Sequence, residues 1–512
     1  MGLTIRPKIL HLLTVMKRSV YHLLFLIGLF ILCLSYQFLV SLRIDPQCSM
    51  DAAYYHIIAR RLSENLGFTE PFIWNHLKPY ARMVHDVDFW QPAGIVFYAL
   101  SRFFAGDKGE IWLNIIIWSL LAVAVFRAVY RISSSIAAAF FSYTLFVFGG
   151  KYGFYVSTTD NIVFYAFLGF WWFQFSQEAQ DGYVSGIKVG IISGLMALTR
   201  VEGLLFGILA CVENLFIKKR FKVAVGVFFA CVLVVSPWVI RNYEVLGVPW
   251  PSQIKALLLR DYSDMFENET TGTWQYYFQD GFLWVLRHKL KSLFANLAHF
   301  VLIPNYILFV PLWFIGLFYC WNVGGKRVAL ATLILWFLNG VLFTTQSLKG
   351  TAFHIAAAFL PHGFIFCALG LERCIDKFYP KEKRKKMWVF VGILLFWAAF
   401  FTYFGFQASL RSYNNEKKPY SDFVRKYKFN KDDKIVSSFP IMVNLLTSCP
   451  GIVAPSKNIN GPLNFARKFD CDYILLDSRA GHKIPDTFEH FPLVASEPPL
   501  FLFAKIKASE RK

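Results

Sequence analysis

Apolar residues recur along this chain in long runs separated by short polar stretches rich in Lys and Arg. A run of roughly 17 to 25 residues, wound as a helix, is long enough to cross a hydrocarbon core of about 30 Å. The pattern predicts spans near 20–41, 110–130, 134–150, 160–176, 185–200, 203–217, 223–240, 296–319, 328–346, 352–371 and 387–408. That is an α-helical polytopic membrane protein with about 11 transmembrane helices, occupying residues 1–409. Two long stretches interrupt it, at 42–109 and 241–295. In the first, Tyr54, Ile57, Ile58, Arg61 and Leu62 recur at helical spacing, and the run Pro92 to Ala105 is apolar but too short to span. Both predict helices lying in the membrane interface.

After about residue 410 the periodicity changes. Lys434 to Phe439, Gly451 to Ala454 and Tyr473 to Leu476 read as short strands, separated by Pro/Gly turns and a helical stretch near Leu463 to Phe469. Residues 410–512 therefore predict a small α/β domain, and the absence of GxGxxG argues against a nucleotide site there.

Composition agrees with the pattern: 56% hydrophobic, 18% aromatic and 17% charged, with mean hydropathy +0.44. The net charge of +20 would suit nucleic acid, but the basic residues fall between spans, which points to helix orientation and lipid headgroups instead. With the N-terminus inside, the inner segments hold Arg6, Lys8, Lys17 and Arg18; Arg127 and Arg131; Lys188; Lys218 to Lys222; Lys326 and Arg327; and a dense run from Arg373 to Lys386. The short outer segments 151–159 and 347–351 hold only Lys151 and Lys349. The segments 42–109, 241–295 and the tail then lie outside, and the first span, with no small-residue cleavage signature, reads as an anchor. Nine cysteines form no CxxC pair and no Cys/His cluster, although Cys449 and Cys471, in an oxidising compartment, could form a disulfide. Asn268-Glu269-Thr270 is a glycosylation sequon in an outer segment.

Carboxylates are scarce beside a bilayer, so their positions carry information. Asp51 opens the first outer helix and Asp160 stands at the outer mouth of the span near 160–176. Either reads as a catalytic or ligand group, or as a helix N-cap; Asp45, before Pro46, reads as a turn residue.

These residues sit in local patterns: Asp51-x-x-Tyr54-Tyr55-x-x-x-Ala59-Arg60-x-Leu62 with Gly67-Phe68; Trp90-x-Pro92; Leu198-Thr199-Arg200-x-Glu202-Gly203; Pro237-Trp238-x-x-Arg241-Asn242-Tyr243 with Gly247; and His354 before Pro361. Their order resembles the GT-C superfamily of polyprenyl-phosphate-sugar glycosyltransferases, in the branch of bacterial protein O-mannosyltransferase-like and aminoarabinose-transferase-like proteins. The resemblance implies a GT-C-like catalytic domain, a polyprenyl-phosphate-sugar donor, membrane lipid around it, and transfer to an acceptor hydroxyl on the outer face. It implies Asp51 and Asp160 as catalytic groups, with Asp160 a ligand of a divalent metal, Mg or Mn. It further implies Arg241, Arg200, Glu202, Lys349 and His354 as substrate-binding residues, the cations among them meeting the lipid phosphate, where Arg200 with Glu202 also reads as an internal ion pair and Arg241 as a snorkelling anchor; Tyr54, Tyr55, Trp74 and Trp90 read as surfaces for the sugar ring or as members of the headgroup belt. Many relatives carry Asp-Glu where this chain has Asp51-Ala52, and Asp45 is the nearest other acid. A bacterial cytoplasmic membrane is expected, with the endoplasmic reticulum second. A transporter or lipid flippase would share the composition, but should show charged mid-span residues or two related halves with broken helices, and no such repeat is found. A non-catalytic partner subunit of the same fold differs only in whether Asp51 matters.

Overall fold

The computed structural model of the chain describes residues 5–249, 253–267 and 273–506, so the sequon at Asn268 lies outside the described residues. The membrane part is built from α1 (Ile5–Ser41), α4 (Asp107–Ser133), α5 (Ile136–Phe148), α6 (Ile162–Glu178), α7 (Tyr183–Thr199), α8 (Leu204–Val212) and α9 (Phe221–Leu246). It continues with α10 (Phe282–Leu297), α11 (Val310–Tyr319), α12 (Gly325–Leu342), α13 (Leu360–Phe378) and the start of α14 (Lys383–Lys426). Among the described residues, six helical stretches are each long and apolar enough to cross a membrane: Val20–Ser41, Asp107–Ser133, Phe221–Leu246, Gly325–Leu342, Thr344–Phe378 and Lys383–Lys426. The predicted interface helices are present as α2 (Met50–Ser63) and α3 (Pro92–Ala105), each 14 residues long.

Close helix contact in the bundle depends on glycine. Gly186, Gly190 and Gly194 recur every four residues along α7 and face Val223, Val227 and Val234 of α9; a Cβ added at Gly190 would sit 2.5 Å from the Val227 carbonyl oxygen. Small residues at such crossings let backbones approach where burial from water contributes nothing.

Two predicted spans need correction. The stretch 296–319 is not one helix. It carries the end of α10 and a wide π turn at Ala298–Leu302, and regular helix resumes only at Val310. Pro304 cannot donate a backbone hydrogen bond, and Tyr306 and Ile307 both take positive φ, so no α-helical ladder can pass through. The last span does not stop near 408: α14 continues to Lys426, and its polar half carries Tyr420 and Phe423 into the core of the tail.

The strands are β1 (Thr69–Glu70), β2 (Phe72–Ile73), β3 (His85–Asp86), β4 (Ile435–Ser437), β5 (Gly451–Val453), β6 (Tyr473–Asp477), β7 (Thr487–Phe488), β8 (Phe491–Glu497) and β9 (Leu500–Ala504). Seven form one sheet in the order β2-β5-β4-β6-β9-β8-β7, parallel from β2 to β6 and antiparallel thereafter. The first edge strand, β2, comes from the first outer segment, so the sheet stitches the tail to the membrane part. Neighbouring residues alternate between its faces. Val436, Ile474 and Leu476 meet Leu463 and Ala466 of α16 (Gly461–Lys468), while Ile435 and Leu475 meet α14 and α15 (Pro440–Thr447). That alternation rules out that disulfide: Cys471 belongs to the first core and Cys449 to the second, and both thiols are free.

Candidate active site

Local sequence places Asp51 at the second residue of α2. Ser49, not Asp51, caps this helix, its hydroxyl accepting from the Ala52 amide at 3.2 Å, which leaves the Asp51 carboxylate free of capping. The helix N-terminus, rich in unpaired N–H groups, favours a negative charge there. Residues 159–161 are clamped onto α2: Thr159 donates its hydroxyl to the Ala52 carbonyl at 2.7 Å, and Asn161 donates to the Tyr55 hydroxyl at 2.7 Å and to the Thr199 carbonyl at 3.2 Å. The Tyr98 hydroxyl donates to the Asp160 carbonyl at 2.6 Å. Asp160 Oδ1 also accepts from the Ile162 amide at 3.2 Å, so this carboxylate both supports the start of α6 and serves the site.

His354 joins the two acids. Its Nε2 lies 3.1 Å from Asp160 Oδ2 and 3.7 Å from Asp51 Oδ2, and its Nδ1 donates to the Gly350 carbonyl at 3.1 Å. With Nδ1 fixed as donor, Nε2 points its remaining valence at two carboxylates, which requires a proton or a cation between them. The three donor atoms lie within 4.8 Å of one another, and the imidazole is anchored through its other nitrogen as metal-bound histidines are. Burial raises the Asp51 carboxyl above its ordinary range; His354 opposes that shift, Asp160 adds to it and Arg200 opposes it.

Asp51, whose side chain is 31% exposed, opens with His354 onto a cleft of about 110 Å³. Trp74 and Trp90, stacked at 5.9 Å, make one wall with Phe89; Arg200, Glu202, Lys349, Tyr262 and Gln346 also line the cleft. Arg200 lies at the end of α7, only 8% exposed, and its guanidinium meets Glu202 at 3.5 Å, a loose pair that leaves donors for an anion. Asp160 stands behind His354, fully buried.

Three expected contacts lie elsewhere. Tyr54 and Tyr55 are buried behind Trp90, with ring centroids 5.8 and 6.2 Å from it, and Tyr54 donates its hydroxyl to Glu70 at 2.7 Å. Arg241 faces the first outer segment: it donates to the Val87 carbonyl at 2.6 Å, pairs with Asp86 at 3.2 Å and packs on Trp238 and Phe68. Asp45 is held by Lys417 at 2.6 Å and the Tyr413 hydroxyl at 2.9 Å on α14, so it supplies no second acid to the cleft.

No family model and no curated protein matches the chain by sequence. Among solved structures it resembles ArnT from Cupriavidus metallidurans in the apo state, with TM-score 0.60 at 12% identity over 96% of this chain and 98% of that one. The same enzyme bound to undecaprenyl phosphate gives 0.56 at 12% identity over 94% and 98%. Archaeal oligosaccharyltransferase AglB from Archaeoglobus fulgidus, in complex with an inhibitory peptide and a dolichol-phosphate, gives 0.51 at 14% identity over 88% and 69%. Both are GT-C polyprenyl-phosphate glycosyltransferases. The chain has the GT-C fold.

Within that GT-C fold the cleft includes residues that the sequence did not single out. Gln91 stands between Trp90 and Pro92 in a pattern already noted, and Thr199 directly precedes Arg200, so adjacency could have found both. Tyr262 and Gln346 come from segments with no regular spacing and reach the cleft only through tertiary structure.

Proposed function

We propose that this chain is an integral membrane glycosyltransferase that moves a sugar from a polyprenyl-phosphate-linked donor to an acceptor hydroxyl, with inversion. The observation that carries the reading is one cleft that gathers a carboxylate, a buried arginine and a tryptophan wall on a GT-C fold. The acceptor oxygen attacks C1 of the sugar, the C1–O bond to phosphate breaks with its electron pair going to the phosphate, and the acceptor proton passes to Asp51. A carboxyl whose proton affinity is raised by burial is a stronger base than an exposed one. Arg200, with Lys349 as a second cation lining the cleft, neutralises the departing phosphate, and a forked guanidinium holds two of its oxygens. Phosphate leaves readily, so no general acid is needed. Trp74 and Trp90 offer an apolar face to the sugar ring.

Asp51, Asp160 and His354 fit a divalent cation, which would supply positive charge to the phosphate; the imidazole favours Mn²⁺ over Mg²⁺. The cleft lies on the extracytoplasmic face, with the N-terminus inside, following the distribution of Lys and Arg. The membrane is the bacterial cytoplasmic membrane in this reading. The ArnT structure with undecaprenyl phosphate supports a lipid-phosphate donor. A test is transfer of labelled sugar from a panel of polyprenyl-phosphate sugars by the full chain in proteoliposomes. Release of polyprenyl phosphate with label on an acceptor supports the proposal, and no turnover with any donor or cell-envelope acceptor contradicts it.

A further inference from the structure

A second cluster of metal-ligating side chains lies outside the cleft, in the first outer segment. Glu70 and His85 face each other as a directly paired position of the β1–β3 ladder, which puts both side chains on one face. Asp88 follows three residues after His85 and turns toward the same point. His85 Nε2 lies 3.7 Å from Glu70 Oε2 and 3.9 Å from Asp88 Oδ2, and the three donor atoms fall within 4.8 Å of one another.

These separations are too long for hydrogen bonds and suit a shared ion. Ligands held about 2.0–2.2 Å from one zinc in tetrahedral array lie about 3.2–3.6 Å apart. Glu70 and Asp88 are both fully buried, and Glu70 Oε2 and His85 Nε2 have no hydrogen-bond partner. The other side-chain atoms of Glu70 and His85 are already committed. Tyr54 donates to Glu70 Oε1 at 2.7 Å, the Asp88 amide adds a second bond there at 3.3 Å, and His85 Nδ1 donates to the Met83 carbonyl at 2.9 Å. That last bond leaves Nε2 as the ligand nitrogen and fixes its ring, as carbonyl partners do for zinc-bound histidines. Lys78, its side chain 29% exposed, pairs from the rim with the same Asp88 Oδ2, so a metal ion would take the place of its ammonium there; that pairing leaves Glu70 Oε2 and His85 Nε2 unmatched.

We infer that Glu70, His85 and Asp88 form a structural divalent-metal site, zinc by its ligand chemistry, separate from the catalytic cleft. Its purpose follows from what it clamps. β1, β2 and β3 are two residues long each, too short to hold themselves, yet the segment between them and α3 carries Trp74, Phe89 and Trp90 of the cleft wall. An ion bridging β1, β3 and Asp88 would fix that wall from behind.

The test uses the full chain, purified in detergent without a histidine tag, loaded by dialysis against zinc and then dialysed against metal-free buffer. Zinc content is measured by mass spectrometry and melting temperature by fluorescence. The expected result is about one zinc retained per chain and a lower melting temperature after chelation. Every sample carries Asp160→Asn so that the cleft acids do not contribute to the zinc count; on that background Glu70→Gln, which keeps an oxygen for Tyr54 and loses the ligand charge, and His85→Gln should each retain at least tenfold less zinc. A chain with Glu70 and His85 intact that retains no zinc and melts identically with and without it overturns the inference, even if the variants fail to fold. Equal zinc in that chain and both variants does the same. Neither readout depends on turnover, so the result stands apart from the proposed transferase activity.

Discussion

Two arginines with similar surroundings in sequence end in different places in the fold. Arg200 is buried at the cleft and its pairing with Glu202 is loose, at 3.5 Å, whereas Arg241 spends its donors on Val87, Asp86 and Asn242. Arg200→Gln should therefore lower kcat/KM for the lipid-phosphate donor by about 10²-fold, the usual loss when one group stabilising developing charge is removed, with melting temperature little changed. Arg241→Gln should leave donor kinetics near wild type and cost about 1–3 kcal/mol of stability, from bonds to a charged group. Thermal unfolding and initial rates on the two variants separate the roles, and reversed effects would return Arg241 to the phosphate. At this scale the sequence singled out Asp51, Asp160, Arg200, Glu202, Trp90, Lys349 and His354, and the fold brings them to or just behind one cleft. It could not tell that Tyr54 and Tyr55 face inward, because helical spacing gives a face only relative to its neighbours, and those neighbours are set by α3 and the first outer segment.

Among elements, the helix ends and crossings decide positions. Ser49 rather than Asp51 caps α2, so Ser49→Ala should cost about 0.5–2 kcal/mol in thermal unfolding while Asp51→Asn costs almost nothing; the opposite order would make Asp51 the cap. The glycine stripe of α7 sets how closely α9 approaches and therefore where Arg200, one residue past the end of α7, meets the cleft. Gly190→Val should destabilise the protein in detergent by about 1–3 kcal/mol or more, since the clash is with a backbone carbonyl that cannot rotate away. Apolar run length predicted most helices, but it could not see the break after α10, because Pro304 and the turn at Tyr306 and Ile307 interrupt a stretch that stays apolar throughout. Nor could it see α14 continue beyond the membrane, since a polar helix carries no hydropathy signal.

Across the whole molecule, the first outer segment, the second outer segment and the tail are tied at His76. Its amide donates to the Met265 carbonyl at 2.8 Å, Nε2 donates to the Val453 carbonyl at 2.9 Å, and its ring stacks on Phe465. Burial lowers its pKa from 6.5 to about 4, while the Val453 bond opposes the shift. The folded chain thus resists a proton that the unfolded chain accepts near pH 6.5. Stability from this group is intact above pH 6.5 and falls as pH drops toward 4, by up to about 3 kcal/mol. His76→Gln should flatten that part of the stability curve measured by thermal unfolding from pH 7 to 4; an unchanged slope would mean that other groups set it. The strand-like runs of the tail were legible from alternation and β-branched residues. The edge strand β2 was not, because two residues from a segment more than 350 positions away in sequence carry no periodic signature.

The central claim is that the Asp51 carboxylate takes the acceptor proton, and one substitution addresses it. Asp51→Asn preserves size and the Ser49 cap and removes the proton acceptor, a loss that typically costs about 10² to 10⁴ in rate. The measurement is transfer from a polyprenyl-phosphate sugar by the purified variant in proteoliposomes, beside its melting temperature. A wild-type melting temperature with transfer reduced by about 10²-fold or more is the predicted result; turnover equal to the wild type would place the base elsewhere or remove the chain from the transferases.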